Sequence, residues 1–392
     1  MIRSANLERP SRRASFARED WVELFLSTAA GAALVWIPFQ LAGLSAPVGF
    51  VLCLLAALSG IYGVVVYERH GLLAAKDRMA TVAIGIFSSI ALVVLFLMIF
   101  FVFRRGLAAM LSSSHFLTRS MSGVGPSDPV SHSGVGHALI GTLEQVGIAM
   151  VLTVPVGILA ATYLNEVGGR FARVVRAIAD AMTGLPTIIA GLFIYVIWVV
   201  PRKTNGQTGV AAGLALAIIM LPTVIRAAEE VLRIVSDSLR EAALALGAPQ
   251  WRVVMMVVIP TARAGLVTAA ILGVARAVGE TAPVLLTAGS NVQMNVNPLQ
   301  HPQENLPVQI WTFLRSLSDN NVKEAWGAAL LLVLIVLTLF ALARILGTGG
   351  SEPRAKKAKR SRSRKIEEAE EALADYSPSG NLPVNHPFTS PP

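Results

Sequence analysis

Charge is scarce in this sequence. Asp, Glu, Lys and Arg make up 15% of the 392 residues, where soluble domains carry about 25%. Apolar residues reach 54%, and the mean hydropathy is +0.61. A water-soluble globule of this length has no interior large enough for that much apolar surface, which excludes one and implies an integral membrane protein. Cysteine is nearly absent. The single Cys53 lies in an apolar run, excludes an internal disulfide and a cysteine zinc site, and reads as a small packing residue. The six histidines show no ligand spacing. No Gly-Lys dipeptide occurs, so there is no P-loop and ATP hydrolysis by this chain is not expected. The net charge of +9 comes without an aromatic-basic motif. It is assigned to cytoplasmic loops rather than to nucleic-acid binding.

Apolar runs are what the sequence has in abundance. A spanning helix needs about 20 mostly apolar residues. Eight runs qualify: 22–43, 46–67, 79–103, 136–164, 178–200, 209–225, 264–288 and 326–346. The fold class is therefore all-α, a polytopic transmembrane helical bundle. Arg3, Arg9, Arg12, Arg13 and Arg18 precede the first run, no cleavage site follows it, and it reads as an uncleaved anchor. With the N-terminus placed inside, cytoplasmic segments hold 25 of the 33 Lys and Arg, outside segments hold 7, and Arg276 is the remaining one. This positive-inside bias predicts a multi-pass protein of the plasma (inner) membrane with both termini cytoplasmic. The expected organisation is a basic N-terminus over 1–20, two spans over 21–70, a six-helix region over 79–347 and a charged tail over 348–392. The tail's basic block, Arg354 to Lys365, reads as a solvated topology determinant, with anionic membrane lipid as its other possible partner.

The longest inside loop, 226–263, carries a specific pattern. Residues 227–246 predict one helix, with Leu232, Val235, Leu239, Ala243 and Leu246 on one stripe. Gly247 is the expected C-terminal cap, and Pro249 opens a second helix. Glu241-Ala242-Ala243, three residues, Gly247, nine residues, then Val257-Val258-Ile259-Pro260 resembles the EAA loop of ABC importer permeases. That resemblance implies a coupling helix docked on a separate ATPase. Glu241, Ala242, Ala243, Gly247 and Pro260 are carried over as the coupling residues.

The run 264–288 places a charge inside the membrane. Arg276 stands at its midpoint, and an arginine there costs about 2.5–3.5 kcal/mol on insertion scales. Glu280 follows four residues later on the same helix face. Gly273 and Gly279 are expected to admit a neighbouring helix or a ligand closely, and Pro283 to kink the helix. The residues leave two readings open: a self-compensating packing pair, or a polar point on the path of an anion. Arginine suits tetrahedral oxyanions because its fork donates several charge-assisted hydrogen bonds. Elsewhere, Glu144 is read as structural, Asp180 as an elbow salt bridge beside Arg173 and Arg176, and Pro186 and Pro222 as kinks.

The stretch ILGVARAVGETAPVLLTAG closely resembles the PstA-type permeases of high-affinity phosphate ABC importers. GVGHALIGTLEQVGIAMVLTVPVGILAATYLNE and RVVRAIADAMTGLPTIIAGLFIYV resemble their second and third core helices. The sister PstC-type permease reads Gly-Glu-Thr-Met-Ala where this chain has Gly279-Glu280-Thr281-Ala282-Pro283. The resemblance covers about 79–346 and implies a type I ABC importer permease core of six helices. The first two spans are then an addition. It implies a pathway site at Arg276, Gly279, Glu280 and Thr281, with Arg276 contacting or gating phosphate. It also implies partners: a PstC-type permease, two ATPase subunits and an extracytoplasmic phosphate-binding protein. No cofactor is expected on this chain, since ATP and Mg belong to the partner. Rival readings are a permease of this fold for another solute, a non-transporting membrane sensor or scaffold, and a secondary transporter.

Overall fold

The structure is a computed structural model and describes residues 18–41, 47–125 and 127–348. The expected N-terminal segment up to residue 17 and the tail after 348 lie outside the described residues. The chain divides into two compact units, Met1–Phe100 and Phe101–Pro392. No strand occurs among the described residues.

In the first unit, α1 (Arg18–Leu41) is followed by α2 (Pro47–Leu111), which continues into the second unit. Helix α2 is two helices joined at Gly71, whose φ of 81° breaks the regular backbone. Tyr62, Val66 and Ala75 are buried together, with Val82 against them. From Phe87 to Phe101 nearly every large apolar side chain of α2 is exposed, as suits a face turned toward lipid or another chain.

The second unit is a helical bundle. Its helices are α3 (Gly136–Thr162), α4 (Gly169–Thr183), α5 (Thr187–Ile194), α6 (Val200–Arg202), α7 (Gly209–Arg233), α8 (Asp237–Ala245), α9 (Gln250–Val253), α10 (Ile259–Val278), α11 (Ala282–Thr287), α12 (Leu306–Leu314) and α13 (Asp319–Thr348). Single π-turns continue α3 through Tyr163–Val167, join α5 to α6 and join α9 to α10. Among the described residues five helices are long and apolar enough to cross a membrane: Gly71–Leu111, Gly136–Val167, Gly209–Arg233, Gln250–Val278 and Asp319–Leu346. Gly169–Thr183 with Thr187–Arg202 is an apolar pair bent by 102°, a broken span or a re-entrant loop. The described residues of the two N-terminal runs are helical, but neither run is among these spans: Phe25–Leu41 is a shorter apolar helix.

Helix α7 is the centre of the bundle, flanked by α3 and α10, and α13 packs on α10. Small residues allow this. Ala149, Ala212, Leu216, Met220, Val224, Val274 and Ala277 fill the shared core, and small side chains let membrane helices approach without a hydrophobic drive from water. A Cβ on Gly273 would stand 2.6 Å from Val224 Cγ2, so the close approach expected at Gly273 is present.

Three sequence expectations change here. The run 178–200 is not one straight span. Pro186 disfavours the α conformation at the preceding residue and is itself extended (ψ 134°), and the chain turns by 102° between α4 and α5. Helix α4 is amphipathic, burying Ala172 and Ala179 while Arg170 and Arg173 face outward. The single helix expected over 227–246 is also two. Ile234 ends α7, Ser236 is extended (ψ 134°) and Asp237 opens α8. The stripe is divided accordingly: Leu232 and Val235 are buried, whereas Leu239 and Leu246 are exposed. Third, Arg276 stands in the last turn of α10 rather than at a helix midpoint. Pro222, by contrast, sits inside an α7 that continues through it.

Candidate functional site

Two helix breaks meet in the second unit. One is the bend at Gly184–Pro186. The other follows Val278, where α10 ends with Gly279 as its cap and α11 restarts with Pro283 near its first turn. Pro283 therefore marks a break rather than a kink, because a ring without an N–H is tolerated in a first turn. Helix α11 packs on α5. The approach is so close that a Cβ on Gly191 would stand 2.6 Å from Pro283 Cα, a backbone atom that cannot step aside.

Glu280 lies between the breaks. Its carboxylate lies beside Thr187, the first residue of α5, and Arg276 Nε stands 4.0 Å from its Oε1. The Arg276 side chain is 54% exposed, whereas Glu280 is 18% exposed, so the guanidinium is presented outward while its counter-charge is held. Arg276 shares a small cavity with Thr183, Leu185, Ile218, Pro222 and Thr223. Ile218 to Thr223 is the middle of the 25-residue α7, which sets Arg276 level with the middle of that helix. Thr281 precedes α11, and its carbonyl accepts from Leu285 N–H at 3.0 Å. The structure thus brings Arg276, Gly279, Glu280 and Thr281 to one break. It does not make Gly279 a close-packing position, since only Arg276 O lies within 4 Å of a Cβ built there.

At one end of the bundle, charged pairs tie the elbow to α7. Glu229 is buried and accepts from Arg176 (2.8 Å) and Arg226 (2.9 Å). Asp180 pairs with Arg226, not with Arg173 or Arg176 on its own helix. At the same end, α8 and α9 form a hairpin. Gly247 has φ +80°, and its N–H donates to Leu244 O at 2.9 Å, so the expected left-handed cap is present. Glu241, Ala242 and Gly247 are exposed, whereas Ala243 turns toward the cluster of Leu232, Val253 and Val258. Pro260 stands at the start of α10.

Sequence reasoning missed the brace behind this hairpin. Arg240 reaches both carboxylate oxygens of Glu166 (3.3 and 2.9 Å), Asp237 Oδ1 (2.7 Å), Leu232 O (3.0 Å) and Val235 O (2.7 Å). Burial disfavours the guanidinium charge, but the Glu166 and Asp237 carboxylates outweigh that and hold its pKa above the ordinary value. Gln250 Nε2 adds a bond to Glu166 O at 2.7 Å. Also missed was a buried polar layer at the opposite end. Gln145 donates to Gln303 O (2.8 Å), Leu306 N–H donates to the Thr142 hydroxyl (2.9 Å), and His137 faces Glu304 at 3.5 Å. Gln303 also donates to Glu144, in keeping with the structural role expected of that residue. These bonds fix the 289–305 loop on α3. The only available signal was a set of polar residues flanking an apolar helix start.

The family described as binding-protein-dependent transport system inner membrane component matches residues 153–349. Among curated proteins, phosphate transport system permease protein PstA 1 of Mycobacterium tuberculosis (strain ATCC 25618 / H37Rv) is 40% identical over 265 residues, covering 67% of this chain and 85% of that protein. PstA of Mycobacterium leprae (strain TN) is 38% identical over 277 residues, covering 70% and 90%. PstA of Pasteurella multocida (strain Pm70) is 40% identical over 219 residues, covering 55% and 77%. Among solved structures, an inward-facing conformation of the MetNI methionine ABC transporter matches 54% of this chain and 93% of that chain, with 25% identity and a TM-score of 0.42. With five spanning helices and a bent apolar pair among the described residues, an EAA hairpin and relatives aligned over most of their own length, the chain belongs to the inner membrane components of binding-protein-dependent transport systems, and within them to the PstA-type permeases.

Proposed function

We propose that this chain is half of the translocation pathway of an ATP-driven inorganic phosphate importer, that Arg276 lies on that pathway, and that α8–α9 couples it to the ATPase. As a permease subunit the chain is not an enzyme, and ATP hydrolysis lies in a partner. The observation that carries the pathway reading is the exposed Arg276 guanidinium at the meeting of two helix breaks. Glu280, beside Thr187 and 4.0 Å from the guanidinium, offsets the charge without covering it. A site of this kind lowers the barrier to a tetrahedral oxyanion without trapping it, because the carboxylate competes for the same guanidinium.

Coupling is supported by what α8 leaves uncovered. Leu239, Leu244 and Leu246 are 46%, 49% and 89% exposed, beside Glu241 and Ala242. A short helix with that apolar face suits a groove on a partner. The brace through Arg240 and Glu166 would pass its movement to α3 as a rigid push. In this reading the second permease is PstC-type, two ATPases serve the pair, phosphate arrives from an extracytoplasmic binding protein, and both termini are cytoplasmic. No cofactor is assigned to this chain.

The test is labelled phosphate uptake at low external phosphate, in cells lacking the chain and restored with wild type or Glu241→Ala. Wild type should restore uptake that excess sulfate does not block, and Glu241→Ala should restore less at equal membrane level. Full restoration by Glu241→Ala refutes its coupling role, and sulfate-sensitive uptake refutes phosphate as the substrate.

A further inference from the structure

At the end of the second unit opposite the coupling hairpin, α2 leaves its apolar stretch and α13 begins its own. A cleft of about 730 Å³ opens there between the last turns of α2, residues 127–131 and the first turns of α13. Arg105 and Lys323 line it, both exposed, and neither forms an ion pair among the described residues. The Arg105 guanidinium lies over the Trp326 ring, 5.2 Å from its centroid, which fixes its plane and leaves its N–H edge free. Ser127 and Ser131 add hydroxyls, and Val322 adds an apolar wall. The one carboxylate in the lining, Asp319, leaves the cleft with net positive charge.

We propose that this cleft binds the phosphodiester headgroup of an anionic phospholipid. Two cations and two hydroxyls match the oxygens of a phosphate group, a chemistry that free orthophosphate shares. The surroundings favour lipid. The cleft lies where two spans emerge, the depth at which headgroups sit, and Val322 with the indole of Trp326 offers acyl-chain contact that orthophosphate does not use. The site lies apart from Arg276 and does not depend on its role.

The transporter, purified with its partner subunits, would be placed in nanodiscs of phosphatidylcholine with a minor share of phosphatidylglycerol. Retained lipid is then counted by native mass spectrometry. Three forms are compared: wild type, Arg105→Gln with Lys323→Gln, and Val322→Trp, which fills the cleft and keeps its charge. Wild type should retain an additional phosphatidylglycerol, in preference to phosphatidylcholine, that both variants lose. In the charge variant occupancy should fall at least about tenfold, the effect of losing a single charge-assisted contact where two are removed, and added orthophosphate should not displace the lipid. Equal retention in all three forms overturns the site. Equal retention of phosphatidylcholine overturns the preference for anionic lipid, and displacement by orthophosphate identifies free phosphate as the occupant and overturns the lipid assignment. Thermal midpoints in phosphatidylcholine-only discs check folding, and if Val322→Trp lowers its midpoint the charge variant decides alone.

Discussion

Removing the Arg240 side chain should both destabilise the permease and uncouple it. Arg240 is 17% exposed and Glu166 is 7% exposed, so the pair is largely withdrawn from water. Arg240→Ala leaves Glu166 without its cation, and breaking one side of a buried pair costs about 3–5 kcal/mol. The carbonyls of the buried residues Leu232 and Val235 lose a donor as well, which adds to the cost. Asp237 is 88% exposed and adds little. The expected loss is therefore about 3–5 kcal/mol, or roughly 10 °C in thermal midpoint for a domain of this size. Arg240→Lys should recover part of it, because an ammonium keeps the charge but not the fork. The assay is thermal unfolding of the purified complex in detergent, run as a double-mutant cycle with Glu166→Ala, with ATP hydrolysis and uptake measured in parallel. Strongly non-additive losses, and hydrolysis that outlasts uptake, are expected. Additive losses, or an Arg240→Ala midpoint equal to wild type, would refute the brace.

Other expectations follow from the same contacts. Gly247→Val should impair coupling and cost about 1–2 kcal/mol, because φ +80° crowds a Cβ, whereas Gly247→Asn should be milder; uptake and thermal midpoint check both. Gly191→Val should separate α5 from α11, costing about 1–3 kcal/mol by overpacking, and lower uptake more than membrane level. Glu229→Ala leaves Arg176 and Arg226 without their shared carboxylate, and its membrane level should fall on an immunoblot, while Glu229→Asp keeps more.

The apolar runs made the helices legible, because length and composition decide whether a segment can cross a bilayer. The breaks were less legible. Residues 178–200 and 264–288 stay apolar through Pro186 and Pro283, so composition runs on where the backbone stops. At the site, the proximity of Arg276 and Glu280 followed from their spacing of four. Thr187 did not, being 93 positions from Glu280 in the chain and joined to it only by the packing of α5 on α11. The Asp180–Arg226 and Glu166–Arg240 pairs are hidden for the same reason: local sequence offers each acid nearer cations, and helix packing selects a distant one. The division of 227–246 had a local signal in the cap-forming Ser236-Asp237, which the continuous apolar stripe outweighed.

The central claim is that Arg276 serves the passage of the anion rather than helix packing. The most direct measurement is labelled phosphate uptake and ATP hydrolysis in proteoliposomes holding the whole transporter, with wild type, Arg276→Ala or Arg276→Lys. The account predicts that Arg276→Ala loses uptake while its thermal midpoint stays near wild type, since the side chain is half exposed and its pair with Glu280 is long. Arg276→Lys should keep a fraction of uptake. Wild-type uptake by Arg276→Ala, or a loss of uptake that only follows unfolding, would contradict it.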